Sequence, residues 1–548
     1  MFINQIVKLI RRIHFTNPGA CTFLILIVVG FIAHVPSVWN VVRNGEIKSF
    51  AEFTASLRRD LVSDFKWKHD FVDINGAYVR AIGQRVSNGI VRLHNGQLTS
   101  EAFLSRCADE IAALPKIANA FVGLSSWLKG RGVPFLHVQA PVMMDPQGVL
   151  SPYLTEHCIN EVPEILCREL RSAGVNTLDL SEQFASSPEV VRKTFFTTDH
   201  HWTIDAAFSA CPIIAGRILD AVGLDAKIAR ARFDSDKWNR FEKKNWFLGS
   251  RGRRVGRFFA GLDDISWYEP KEKDDVRMSC AIHKGERFRV GNFSEALILK
   301  DKLLPETRPP VYENNPYLLY LGGDFPLVSH RNQFAAVKLR VLLIQDSFGV
   351  PIQAFLSSLF TEIDVLDLRY FNEMSVPDYV ESTSPDIVVT LYNPSMVIMP
   401  VATNFGTGPS GATKWSRVRH IQQLRIEKSP KPYNYCNLTP VDGLRNGGVY
   451  RLSFKQGSSP GKSGVGVTVC LHDLMSKKIT ATRVVDLDYI KENEERLCFK
   501  IPQSGKWRLL LYAGSRTSTG VEIDIGEVTL YERVVEHKKV ELSRQSGI

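Results

Sequence analysis

Two short runs hold residue types at spacings that can do chemistry. "TTDHHWT" occupies residues 197–203 and "IQDSFG" residues 344–349. Asp199 and His201 are two apart, so a turn can bring the carboxylate against the imidazole. An Asp so placed fixes the tautomer of a His, which then acts as a general base. Such a base needs a nucleophile, and the second run supplies one. There an apolar strand ends in Asp346-Ser347 and a helix is expected to follow. Open α/β sheets bind ligands outside the carboxyl ends of their strands, and backbone N–H groups opening a helix can receive an oxyanion. Ser347 is therefore the expected nucleophile, His201 its base and Asp199 the group that orients the base.

Blander readings stand beside this one. One carboxylate and two imidazoles also suit zinc or iron, but no further cluster with ligand spacing accompanies them, and no metal is expected. His200 reads as structural and Trp202 as packing. Ser347 without the Asp-x-His run reads as an ordinary turn residue. His137 and His157 have no partner that the sequence names.

The elements that must position these residues alternate. Helices are expected over "SEAFLSRCADEIAALPKIANAFVGLSSWLKGRG", "EVPEILCRELRSAG", "DAAFSACPIIAGRILDAVG" and "VPIQAFLSSLF". Buried strands are expected over "VPFLHVQAP", "VNTLDL", "KLRVLLIQDSF", "TEIDVLDLRYF" and "PDIVVTLYNPS". Alternation of this kind predicts an α/β fold, a mainly parallel sheet flanked by helices. Thr203 or Asp205 is positioned to cap the helix after the Asp-His run. Between about residues 225 and 330 the alternation fails, which predicts an elaboration over the sheet edge. Its stretch "KWNRFEKKNWFLGSRGRRVGRFF" mixes basic and aromatic residues; a solvated basic face, a nucleic-acid surface and a grip on an acidic polysaccharide are all open readings. After a Gly/Ser/Thr-rich join, "GGVYRLSFKQ", "GVGVTVCLHDL", "ITATRVVDLD", "ERLCFKIP", "KWRLLLYAG" and "VEIDIGEVTLYERV" predict a β-sandwich.

Residues 1–45 are expected to be a cytoplasmic tail and membrane anchor, 46–405 the α/β domain with its insertion at 225–330, and 425–537 the sandwich. The anchor expectation rests on Lys8, Arg11 and Arg12 preceding an apolar stretch from Ala20 to about Val42, since a spanning helix needs about 20 mostly apolar residues. A cleaved signal peptide is the rival reading, and either exports the body. The chain has 548 residues, a net charge of +10 and nine cysteines without a CxxC pair. The charge favours anionic partners, and the cysteine spacing argues against a zinc ribbon. Cys470 and Cys498 are the best candidates for a disulfide. With no candidate catalytic residue beyond Asn393, a chain ending near residue 425 is expected to fold without the sandwich.

The paired motifs resemble the SGNH-hydrolase superfamily, and the order, with Asp-x-His before the Ser, resembles its permuted branch. That branch includes the AlgJ/AlgX-type polysaccharide O-acetyltransferases and the DHHW proteins. "FVDINGAYVRAIGQR" and "VLDLRYF" are similar to its flanking segments, and the resemblance spans roughly residues 65–400. It implies a triad of Ser347, His201 and Asp199, an oxyanion role for Asn393, and a place in the site for Arg369 and Tyr370. The usual Gly-Asn-Asp block is absent.

The resemblance implies an extracytoplasmic O-acetyltransferase that modifies an exopolysaccharide through an acetyl-serine intermediate and needs no cofactor. It also implies an acetyl donor supplied by a multi-spanning membrane acyltransferase, and an inner-membrane, single-pass protein with its body in the periplasm. A carbohydrate acetylesterase and a non-catalytic polysaccharide-binding or assembly protein are the alternatives. The sandwich reads either as a structural module or as carbohydrate-binding.

Overall fold

The computed structural model describes residues 68–100, 107–141, 143, 161–184, 186–272, 278–282, 287–303, 311–401, 403–407, 412–426, 434–455, 466–491, 493–513 and 523–536. The expected anchor lies outside them. The chain forms two compact units. The smaller comprises residues 1–84 with 254–259. In its described part, the helix Lys68–Ala81 presents buried Asp73, which accepts from the Arg257 backbone at 2.7 Å and pairs with its guanidinium at 2.7 Å.

The larger unit is built on an eight-stranded sheet. Its strands are β1 (Phe135–Gln139), β2 (Thr177–Asp179), β3 (Met278–Ile282), β4 (Arg287–Gly291), β5 (Leu327–Asn332), β6 (Val337–Gln345), β7 (Phe360–Leu366) and β8 (Ile387–Tyr392). They lie in the order β2-β1-β8-β6-β7-β5-β3-β4. The run from β2 to β7 is parallel, and β5, β3 and β4 extend it antiparallel. Strands covered on both faces need apolar residues at successive positions, and "IVVTLY" of β8 is buried throughout.

Helices cover both faces. On one, α3 (Ile204–Ala221) and α4 (Gly349–Leu356) pack on Val341, Leu343, Val389 and Leu391. On the other, α1 (Cys107–Lys129), α2 (Glu161–Ser172) and α5 (Val376–Thr383) pack on Leu342, Ile344 and Val388. The period-2 alternation along β6 sends its side chains into both cores. Among the described residues, one stretch, Asp109–Lys129 of α1, is long and apolar enough to cross a membrane. Leu114, Phe121, Leu124 and Leu128 account for much of that apolarity by packing in the core.

Thr203 caps α3, its hydroxyl accepting from Ala206 N at 3.2 Å, a bond of the kind that contributes about 1 kcal/mol. Asp205 instead binds Arg240 at 2.7 Å and the Tyr268 hydroxyl at 2.6 Å. The segment expected to lie over the sheet edge does more than decorate it: it contributes β3, β4 and β5, together with the hairpin of Trp238–Phe247 and Asp263–Pro270.

Two four-stranded antiparallel sheets follow. One orders β9 (Ala412–Ile426), β16 (Ile523–Glu536), β11 (Val449–Lys455) and β14 (Glu495–Lys500); the other orders β10 (Asn434–Asn437), β15 (Trp507–Ala513), β12 (Gly466–Asp473) and β13 (Ile479–Asp486). Strand β9 pairs with β16 from Ala412 onward, so this region begins before residue 425. The expected Cys470–Cys498 disulfide is absent. Both are buried thiols that alternate with the core-facing Val469, Leu471, Leu497 and Phe499, so they point away from the space between the two sheets. Cys498 packs instead into the α/β core that holds Tyr379 and Val376.

Candidate active site

The Asp-His run is a loop closed at its base by backbone pairing. Phe195 and Trp202 form an antiparallel bridge, Phe196 N donates to His201 O at 3.2 Å, and Thr203 N donates to Thr194 O at 2.7 Å. The insertion holds the loop from outside. Asp263 accepts from Thr197 N and Thr198 N at 2.8 Å and from the Thr198 hydroxyl at 2.6 Å. The Thr198 hydroxyl accepts from Gly249 N at 2.7 Å. Gly249 tolerates no side chain here: a Cβ would stand 2.6 Å from Thr198 O and from Asp199 Oδ2.

Ser347 sits in the turn between β6 and α4. Buried Asp346 organises that turn: one carboxylate oxygen accepts from Phe348 N at 2.8 Å, the other from Asn393 N and Asn393 Nδ2 at 2.7 Å each. Two further bonds reach it from the insertion and the loop. The Tyr317 hydroxyl donates to Ser347 O at 3.0 Å, and the Trp202 indole donates to Phe348 O at 3.2 Å. Trp202 is fully buried and thus ties the two motifs together as well as filling space.

These frames bring the three expected residues into line. His201 Nδ1 lies 2.6 Å from Asp199 Oδ1, and His201 Nε2 lies 2.8 Å from Ser347 Oγ. Asp199 also accepts from His201 N at 3.0 Å and Ser250 N at 2.6 Å. All three side chains are buried, Ser347 being 8% exposed. Burial pushes the Asp199 carboxyl upward, but the adjacent His201 imidazole with its hydrogen bond, the neighbouring His200 and the Ser250 N–H outweigh it and hold the carboxyl well below its ordinary value. A buried carboxylate kept ionised by its partners can orient an imidazole and stabilise its protonated form. Burial, with the His201 imidazole beside it, pushes His200 down to about 3, so His200 is neutral near pH 7. Its Nδ1 lies 3.0 Å from Ser250 Oγ.

The ligand-capable atoms of Asp199, His200 and His201 lie within 4.8 Å of one another. In this arrangement both nitrogens of His201 face other partners, Asp199 and Ser347.

The other expected site residues fall differently. The Asn393 side chain donates to Asp346 and accepts from Ser395 N at 3.0 Å and Met396 N at 3.1 Å. It holds the Ser347 turn through Asp346 and caps its own short helix. Arg369 pairs with Asp367 at 2.5 Å and Asp324 at 2.9 Å. Tyr370 is exposed, with the Arg369 guanidinium 5.3 Å from its ring. By contrast, the backbone N–H of Ser347 donates to no group among the described residues, the property an oxyanion donor requires.

Sequence reasoning missed Tyr317, Ser250, Gly249 and Asp263. All four lie in the irregular insertion, where no periodicity marks them; a Gly beside a Ser was the one available signal.

No family model matches the sequence, and no curated protein matches it. Among solved structures, a DHHW family protein from Eubacterium siraeum aligns with TM-score 0.39 at 16% identity, over 53% of this chain and 88% of that one. Pseudomonas aeruginosa AlgX aligns with TM-score 0.32 at 13% identity, over 82% of this chain and 94% of that one. The O-acetyltransferase domain of Pseudomonas putida AlgJ aligns with TM-score 0.33 at 12% identity, over 57% of this chain and 92% of that one.

Proposed function

We propose that this chain is an O-acetyltransferase of the permuted SGNH type, acting on a polysaccharide outside the cytoplasm. One observation carries the reading. Residues 146 positions apart in sequence meet at 2.8 Å, His201 Nε2 on Ser347 Oγ, with Asp199 at 2.6 Å behind the imidazole. That is the geometry of a nucleophile, its base and the base's orienter.

In the proposed reaction Ser347 Oγ attacks the acetyl carbonyl carbon of an ester donor while His201 Nε2 takes its proton. The donor's C–O bond breaks, and His201 returns the proton to the leaving oxygen. The product is acetyl-Ser347. A sugar hydroxyl then attacks the same carbonyl carbon, His201 takes its proton, and the bond to Ser347 Oγ breaks with the proton returned to the serine. The Ser347 N–H is the proposed oxyanion donor. Neither a metal nor an organic cofactor is required.

A cleft of about 600 Å³ in the sandwich, lined by Arg419, Lys506, Arg508 and Trp507, supports a polysaccharide acceptor. An aromatic face with cations suits an acidic sugar chain. The membrane anchor, the periplasmic location and a membrane acyltransferase as donor partner belong to the same proposal. If water replaces the sugar hydroxyl, the protein is an acetylesterase.

The test incubates residues 46–548 with an acetyl-ester donor and an oligosaccharide, then reads Ser347 and the sugar by mass spectrometry. Acetyl on both is the expected result. Acetate release without acetylated sugar selects the esterase, and neither signal with glycan binding retained selects a non-catalytic binding protein.

A further inference from the structure

The triad does not hold its own imidazole plane. Two bonds in line, one donated to Asp199 and one accepted from Ser347, define an axis through the His201 ring but leave rotation about that axis to the packing on its faces. On one face lies Tyr317. Its ring is stacked on the imidazole with centroids 4.1 Å apart and an interplanar angle of 20°. The same side chain reaches the nucleophile's backbone, its hydroxyl donating to Ser347 O at 3.0 Å.

Tyr317 is itself held firmly. It is fully buried and packs edge-on against Phe196 at 6.2 Å. It belongs to the short turn Pro316–Leu319. Backbone bonds pin that turn on its far side: Leu299 N donates to Leu319 O at 2.8 Å and Leu321 N to Leu297 O at 3.0 Å. Burial, with Asp199 and Asp346 nearby, keeps the phenol proton in place, so the hydroxyl is a lasting donor to Ser347 O.

We propose that Tyr317 is a positioning residue for the reaction, clamping the base by its ring and the nucleophile's turn by its hydroxyl. The inference rests on the acyl-transfer reading of Ser347 and adds a part to it. It also gives the ring a role once the proton has moved: an aromatic face close to a newly formed imidazolium stabilises that cation, an interaction stronger in the transition state than in the ground state. An interaction of that kind acts on kcat and leaves KM little changed.

Two variants separate ring from hydroxyl. Tyr317→Phe keeps the stack and loses the bond to Ser347 O; Tyr317→Leu loses both. With para-nitrophenyl acetate as donor, kcat should fall by less than about tenfold in Tyr317→Phe and by about a hundredfold in Tyr317→Leu, because small misplacements of reacting groups cost about that much. KM should stay within about threefold in both, since the clamp acts in the transition state. Thermal melts establish that each variant is folded. A folded Tyr317→Leu with wild-type kcat, or with its loss in KM alone, overturns the proposal. Should the Leu variant not fold, Tyr317→Phe decides: a hundredfold loss with an unchanged melt removes the ring from its assigned role. Ser347→Ala runs in the same assay. Activity retained there overturns the acyl-transfer reading itself, whereas an inactive Ser347→Ala beside a fully active Tyr317→Leu overturns only the role of Tyr317.

Discussion

Arg331 of β5 and Glu495 of β14 form a buried, two-pronged ion pair, with guanidinium–carboxylate distances of 2.8 and 2.7 Å. The pair joins the extended edge of the central sheet to the sandwich, and Arg331 also reaches Asp364 of β7 at 2.9 Å. More bonds cross the same junction. Arg533 and Lys500 bind Asp378 at 2.6 and 3.2 Å, Arg483 binds Glu373 at 2.5 Å, and the Tyr489 hydroxyl donates to Glu362 at 2.9 Å. Removing one partner of a buried pair leaves an uncompensated charge, at a cost of about 3 kcal/mol. Glu495→Ala should therefore lower unfolding stability by about that amount, read from urea midpoints. These bonds argue against the expectation that a chain ending near residue 425 folds unaided. Such a chain strips these partners from Arg331, Asp378 and Glu373 and takes β16 away from β9, so it should be insoluble or unfolded by circular dichroism.

The triad variants give a sharper test of mechanism. Under the proposed mechanism, Ser347→Ala, His201→Ala and Asp199→Ala should each lower acyl turnover by about 10³-fold or more, and combining them should add little, because groups that act as one unit give non-additive losses. His200→Ala should be milder than His201→Ala, since His200 packs on the His201 ring with centroids 3.8 Å apart and stands 3.3 Å from Asp199, but bonds Ser250 and not Ser347. The opposite ranking, measured on folded proteins, means that the base has been misassigned.

The parts of this arrangement differ in how far the sequence revealed them. Buried parallel strands announce themselves by apolar runs, so β1, β8 and the end of β6 were legible with their helices, and β7 by its alternation. The meeting of Asp199, His201 and Ser347 was legible because two short runs hold residue types that pair at close spacing. Asn393 was noticed for its position after β8, yet its amide holds Asp346. The distinction depends on where a carboxylate 47 residues away points, which no local pattern encodes. Tyr317 and Ser250 belong to the irregular insertion, whose order comes from tertiary bonds such as Asp263 to Thr198. Cys470 and Cys498 misled because alternation identifies strands without saying which sheet each joins.

Gly249 offers a test of the loop that carries Asp199. Gly249→Ala puts a methyl group against the Asp199 carboxylate and the Thr198 carbonyl; backbone there cannot simply turn aside. Displacing the orienter should lower kcat by about tenfold to a hundredfold with little change in KM. A crystal structure of the variant would show whether Asp199 has left His201. A variant with wild-type kcat and an unmoved Asp199 would falsify the tight fit.

Acid should act on Asp199 in a defined window. Its folded-state carboxyl is held well below the ordinary carboxylate range, burial being outweighed by His201, His200 and the Ser250 N–H. As pH falls, the unfolded chain takes up this proton first. The carboxylate's contribution to stability is thus fully present above the unfolded value near pH 4 and is lost as pH falls toward the folded value. Urea unfolding of wild type and Asp199→Asn from pH 6 to pH 3 should show the gap between them narrowing below about pH 4. A gap that stays constant means that Asp199 is not ionised in the folded protein.

The sandwich cleft makes a prediction separable from the chemistry. Arg419 is fixed there by bonds to Asn437 O and Thr439 O at 3.0 and 2.6 Å, while Lys506 and Arg508 are exposed on either side of Trp507. If the acceptor is an acidic polysaccharide, its long chain gains binding there that a short donor cannot use. Lys506→Glu with Arg508→Glu should raise KM for the polymer by about tenfold, as expected for the loss of remote binding energy. Hydrolysis of para-nitrophenyl acetate should stay at the wild-type rate, because no residue of the triad is altered. The polymer's KM in wild type should also rise with salt, since exposed charges are screened beyond about 8–10 Å at physiological ionic strength. An equal loss on ester and polymer would tie the cleft to the integrity of the α/β fold. An unchanged KM for every polymer tried would remove the cleft from acceptor binding.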